Sequence, residues 1–258
     1  MPVFVIFIMM HFLGGLQDRT KTTVAEHHDY FTTDNLGNIY LVDGPELLKY
    51  SAQGKRMARY SNLRMGGISN VDATNPLKIL VYYRDFQQVL FLDNQLSPNG
   101  QAVSLEALGL EQAGLVAASA NNSFWVYDKR NNELHRYSEQ TRRIVSTGNL
   151  KQVLTTAMKP VEMKEHNNFL YVNSPEAGIF VFDIFGAFSR LIPLTKVEEF
   201  QVTDEILYSR RGRRICSFDK LRLEENCDSL MHPGIVAAAV ANGSKYFSYR
   251  DSIKVFPL

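Results

Sequence analysis

The side chains with most chemical potential in this chain are cationic. Arg210, Arg211, Arg213 and Arg214 flank Gly212, and Arg84, Lys129, Arg130 and Arg250 occupy similar breaks between apolar stretches. Guanidinium groups on tight loops present forked donors to carboxylates, so this set suits recognition of an anionic protein surface better than bond making. Patterns for catalysis are weaker. His27 and His28 are adjacent, and neighbours in an extended chain point to opposite faces, so they would not chelate one ion together. His135, His166 and His232 are dispersed, with no Cys or carboxylate at ligand spacing, so no zinc site and no cofactor is expected. Ser, His and Asp occur in no G-x-S-x-G nucleophile pattern. Cys216 and Cys227 lie on either side of a predicted hairpin turning near Leu221-Arg222 and would face each other across two strands. A disulfide fits that placement in an exported protein, and so do two buried thiols.

The elements that must position these residues are repeats. Six apolar runs end in an aromatic residue or leucine, usually followed by Asp or Ser, at Tyr50, Leu92, Tyr137, Phe182, Phe218 and Phe256. The spacings are 42, 45, 45, 36 and 38 residues. That period lies in the range of blade-forming β-repeats. A second signal agrees: Gly114-Leu115-Val116-Ala117-Ala118-Ser119 nearly recurs from Gly234, 120 residues or three periods later. The expected fold is all-β, a six-bladed β-propeller.

Each repeat parses into four strands. The second is clearest, at 38–43, 77–83, 123–128, 168–173, 205–209 and 245–249, each dense in Val, Ile, Tyr, Phe or Trp. Asn121-Asn122, Asn167-Asn168 and Asn242-Gly243 precede three of them, as short hairpins needing positive φ require. Small residues such as Val116-Ala117-Ala118-Ser119 suit the crowded innermost strand. Val71-Asp72-Ala73, Val161-Glu162-Met163 and Phe200-Gln201-Val202 are the equivalents elsewhere, which puts Asp72, Glu162 and Gln201 at the channel wall. The sixth repeat holds three strands up to Leu258, and a spare β-prone run, Thr20 to Ala25, precedes the first. The last blade is therefore expected to be closed by an N-terminal strand, which removes an open sheet edge.

Residues 1–17 carry no Lys, Arg, Asp or Glu and include an apolar stretch from Val3 to Leu13. This reads as a secretory signal peptide, too short to span a bilayer, although no Lys or Arg precedes the apolar region. Residues 18–258 are then a single propeller domain, periplasmic or otherwise exported, with no transmembrane segment after cleavage. The net charge of +1 argues against a nucleic-acid partner.

Asp34-Asn35-Leu36-Gly37-Asn38-Ile39-Tyr40-Leu41-Val42-Asp43 followed by Leu48-Lys49-Tyr50-Ser51-Ala52-Gln53-Gly54-Lys55 resembles one repeat of the NHL and SMP-30-like six-bladed propellers. The likeness is good over the first blade and fades in the others. There is no Trp-Asp dipeptide of the WD40 kind, Trp125 standing in a Trp-Val-Tyr-Asp context. The resemblance implies architecture rather than activity. SMP-30-like lactonases hold a divalent cation at the channel mouth with Glu, Asn and Asp, for which Glu162, Asn121 and Asp72 would be the counterparts.

In a propeller the loops between second and third strands emerge on one face, which would gather Arg84, Lys129, Arg130, Arg210, Arg211, Arg213, Arg214 and Arg250. The connections between blades emerge there too, with apolar runs at 63–68, 108–115, 150–158 and 230–235. These either pack as short helical turns or stand exposed among the arginines. The function expected is a non-catalytic, exported protein-binding scaffold, an accessory subunit of a cell-envelope complex such as an outer-membrane secretion assembly. The alternative is a metal-dependent, lactonase-like hydrolase with its site at the central channel.

Overall fold

The structure, a computed structural model, describes residues 20–229 and 234–258. The signal-peptide reading of residues 1–17 and His232 fall outside the described residues. Strand β1 is Thr22–Val24, and the first blade follows as β2 (Tyr30–Thr33), β3 (Ile39–Asp43), β4 (Glu46–Tyr50) and β5 (Arg56–Ser61). The second holds β6 (Asn70–Asp72), β7 (Ile79–Tyr83), β8 (Gln88–Leu92) and β9 (Val103–Ser104). The third holds β10 (Ala113–Ser119), β11 (Ser123–Asp128), β12 (Glu133–Ser138) and β13 (Arg143–Ser146), and the short helix α1 (Leu150–Val153) leads onward. The fourth has β14 (Glu162–His166), β15 (Phe169–Ser174), β16 (Gly178–Asp183) and β17 (Phe188–Ile192). The fifth has β18 (Glu199–Val202), β19 (Ile206–Arg211), β20 (Arg214–Asp219) and β21 (Glu225–Ser229), and the sixth β22 (Ala237–Ala241), β23 (Ser244–Tyr249) and β24 (Ser252–Pro257).

Every blade is a four-stranded antiparallel sheet in simple sequential order, except that β1 supplies the outer strand of the sixth. Thr22, Thr23 and Val24 pair with Val255, Lys254 and Ile253, so the closing strand lies within the run that the sequence singled out. The chain is an all-β, six-bladed propeller. All six anchor residues fall on third strands, and the polar residue after them has a structural task. The side chains of Ser51, Asp93, Ser138, Asp183 and Asp219 accept backbone N–H groups of the turn that leads to the fourth strand. The aromatic residue ends the buried strand and the Asp or Ser folds the chain back.

Asn121, Asn122, Asn167, Asn168, Asn242 and Gly243 all have positive φ, the paired left-handed geometry of tight hairpins. Gly37, at φ +82°, makes the corresponding turn in the first blade, where an added Cβ would stand 2.7 Å from Tyr246 Oη. The core lies mainly in the seams between blades. Tyr40, Val42, Val81 and Leu90 pack together between the first and second blades, and Trp125, Leu134, Val172 and Phe182 between the third and fourth. Val24 joins Leu41, Tyr50 and Ile253 between the sixth and first, so the closing strand is part of a packed seam.

Candidate functional site

The six inner strands surround a central channel of about 420 Å³. Its wall is built from β2, β6, β10, β14, β18 and β22, and it includes Asp72, Glu162, Lys164, Glu165, His166 and Gln201. An inner strand has a free sheet edge, whose N–H groups need partners. The polar wall residues supply them. Asp72 Oδ2 accepts from Ala118 N at 2.8 Å, Glu162 Oε2 from Phe200 N at 3.2 Å, Glu199 Oε2 from Ala238 N at 3.1 Å and Gln201 Oε1 from Val240 N at 3.1 Å. Each of these bonds joins one blade to the next. Lys164 Nζ lies 2.8 Å from Glu162 and donates to Phe200 O at 2.6 Å. Burial holds the Glu162 carboxyl above its ordinary range against the opposing pull of Lys164.

Glu165 is the most heavily engaged wall residue. It is buried and accepts from Ser119 Oγ, Ala120 N and Trp125 Nε1, while Arg136 Nε donates to Ser119 Oγ at 2.7 Å. The trio implied by the lactonase resemblance is not gathered. Asp72 lines the channel with its oxygens committed to backbone and Glu162 with its oxygens committed to Phe200 N and Lys164, whereas Asn121 sits in the β10–β11 turn and is not among the lining residues.

At the channel mouth, His166 Nε2 meets Asp204 Oδ1 at 2.8 Å, and Asn167 Nδ2 donates to the same oxygen. These two bonds hold the Asp204 carboxyl below its usual range. His27 and His28 diverge as expected: His28 is buried against Ser248 Oγ, while His27 is exposed and paired with Asp251. That pairing raises the His27 pKa, with Asp43 and Asp29 adding to it. Sequence reasoning missed the grouping of His27, Asp29 and Asp43, whose ligand atoms lie within 4.8 Å of one another and which are all exposed. Asp29 and Asp43 meet through the register of β2 with β3, in which Tyr30 faces Val42, and His27 stands two residues before Asp29.

The loops between second and third strands share a face with the connections between blades, because strand direction alternates. Arg84 follows β7, Lys129 and Arg130 follow β11, Arg211 and Arg213 bracket the β19–β20 turn, and Arg250 lies between β23 and β24. Arg210 and Arg214 occupy the adjoining strand ends. The structure thus brings the eight residues to one side of the disk and also supplies counter-charges. Arg130 pairs with Glu111, Arg210 with Glu198 and Glu199, and Arg211 with Glu225. Arg84, Lys129, Arg213, Arg214 and Arg250 are exposed.

Apolar side chains join them on this face. Leu63 is 81% exposed and Phe86 50%, and Phe86 lies over Gly66 in the connection after the first blade. In the connection after the third blade both alternatives are realised: Leu150 and Met158 are buried, whereas Val153, at the end of α1, is exposed. Cys216 and Cys227 are opposed in register across β20 and β21 and joined by a disulfide.

No family model matches the chain, and no curated protein does. Its backbone is similar to virginiamycin B lyase from Staphylococcus aureus, solved with quinupristin, at TM-score 0.60 and 12% identity over 88% of this chain and 79% of that one. It is similar to the Pan2 WD40 domain of Neurospora crassa at TM-score 0.58 and 10% identity, over 92% and 94% of the two chains. A luciferin-regenerating enzyme gives TM-score 0.59 and 14% identity, over 93% of each chain. Identities this low show the β-propeller fold alone. Among the described residues, no helix is long and apolar enough to cross a membrane.

Proposed function

We propose that this protein is a non-catalytic, exported β-propeller that binds another protein, as an accessory subunit of a cell-envelope assembly such as an outer-membrane secretion complex. The observation that carries the reading is the single face that exposed Arg84, Lys129 and Arg250 share with exposed Leu63 and Phe86. Apolar anchors within a polar, cationic rim are the composition of a protein contact surface. The wall of the channel supports the same reading, because Asp72, Glu162, Glu165 and Gln201 are committed to holding blades together.

The test is affinity capture from the native envelope with the parent protein and a variant carrying Arg84→Glu, Lys129→Glu and Arg250→Glu. Among the described residues none of these three forms an ion pair, so the melting temperature should hold while the captured partner is lost. A partner retained at the parent level by the folded variant would remove this face from the interaction.

A further inference from the structure

Two sulfurs and a guanidinium meet at the outer edge of the fifth blade. Cys216 is buried at 1% exposure and Cys227 is exposed, so a reagent from solvent reaches Cys227 first. The strand that carries Cys227 contributes no buried side chain, since all five residues of β21 are exposed. It is tied to its neighbours by the backbone ladder with β20, by the disulfide, and by the ion pairs of Glu225 with Arg211 and of Asp228 with Lys245. Arg211 is placed for more than that ion pair. Its Nη2 lies 3.7 Å from Cys227 Sγ, and its Nε is buried with no hydrogen-bond partner among the described residues. A cation held against sulfur stabilises thiolate, the form in which cysteine leaves and attacks.

We propose that Cys227 is the exchange site of a reversible disulfide that reacts with an external dithiol. One thiolate of the dithiol attacks Cys227 Sγ. A mixed disulfide forms there, the bond between Cys216 and Cys227 breaks, and its electron pair leaves on the Cys216 sulfur, which takes a proton from solvent. The second thiolate of the dithiol then attacks its partner sulfur in the mixed disulfide and expels Cys227 as thiolate beside Arg211. Two electrons pass to the cysteine pair, and the dithiol departs as a disulfide. The charged groups facing Cys227 act in opposite senses. Arg211 favours the thiolate, and Glu225 opposes it. The exchange is read in the state of two sulfurs and not in capture of a partner, so it stands apart from the docking face.

The test uses the oxidised full chain. Reduced glutathione, which has one thiol, is added, the reaction is quenched with acid, and the adduct is mapped by peptide mass. Glutathione is expected on Cys227, with Cys216 free. After full reduction by dithiothreitol, iodoacetamide should alkylate Cys227 about tenfold more slowly at pH 6.5 in Arg211→Gln than in the parent, with Arg211→Lys restoring most of the rate and all three converging well above the thiol pKa. Glutathione on Cys216, two free thiols in the purified protein, or reduction only in denaturant would overturn the proposal. The adduct map needs no variant, so it decides the matter even if Arg211→Gln fails to fold.

Discussion

Trp125 Nε1 donates to Glu165 Oε2 at 2.6 Å across the seam between the third and fourth blades, 40 residues apart in sequence. The separation equals one repeat, and similar separations of 36 to 46 residues recur in the bond that Lys164 donates and in those that Gln201, Glu162 and Asp72 accept. The ring is held by side chains of one inner strand satisfying the free edge of the next. A carboxylate in the channel wall is then a structural joint, and its loss should be felt as instability.

Glu165→Ala strands the buried donor Trp125 Nε1 and the part-buried donors Ala120 N and Ser119 Oγ. At roughly 1–3 kcal/mol for each unsatisfied group, the expected cost is at least about 3 kcal/mol. Denaturant unfolding followed by the fluorescence of Trp125, the chain's single tryptophan, measures it, and Glu165→Gln should fall between parent and Ala. An unchanged unfolding midpoint would contradict the role given to this residue.

Removal of residues 18–26 deletes β1 and takes Val24, 3% exposed, out of the seam between the sixth and first blades. The edge of β24 is then open. The truncated protein should melt lower, and amide exchange of Ser252–Pro257 should rise before that of β22. A truncated form that melts like the full chain would refute closure by this strand.

His135 is 3% exposed, and its Nδ1 is buried without a partner among the described residues. Burial lowers its pKa below 6.5, against the pull of Glu133 and Asp128. The unfolded chain therefore binds a proton at this site before the folded one does, so stability is full above pH 6.5 and falls as pH drops from there through the depressed folded value. One such group can contribute a slope of up to about 1.4 kcal/mol per pH unit. His135→Gln should show a shallower loss of stability between pH 7 and 5 than the parent, and identical slopes would exclude this histidine from the acid response.

Much of this architecture was legible in the chain. The period, the Asn-rich turns and the closing strand follow from local rules of strand and turn chemistry, so Tyr50 through Phe256 marked the third strands, and Thr20 to Ala25 bracketed β1. Strand bounds were read less exactly, since the inner strand read from Val161 begins at Glu162 and the second strand read from residue 77 begins at Ile79. Contacts between repeats were not legible. The counter-charges of Arg130, Arg210 and Arg211 come from the connections, at Glu111 and Glu198, from the inner strand, at Glu199, and from the outer strand, at Glu225. Asp72 and Glu162 were placed correctly on the channel wall, but which backbone groups they bind is set by the next blade, about 40 residues away. The cluster of His27, Asp29 and Asp43 likewise depends on how the chain folds back, not on spacing.

The docking face is tested most directly by a photo-crosslinking residue placed at Phe86 on the connection face or at Phe185 on the opposite one, both exposed. In cells that make the native partner, irradiation should give a discrete crosslinked species from position 86 and none from position 185. Equal crosslinking from both positions, or crosslinking from position 185 alone, would contradict the assignment of that face.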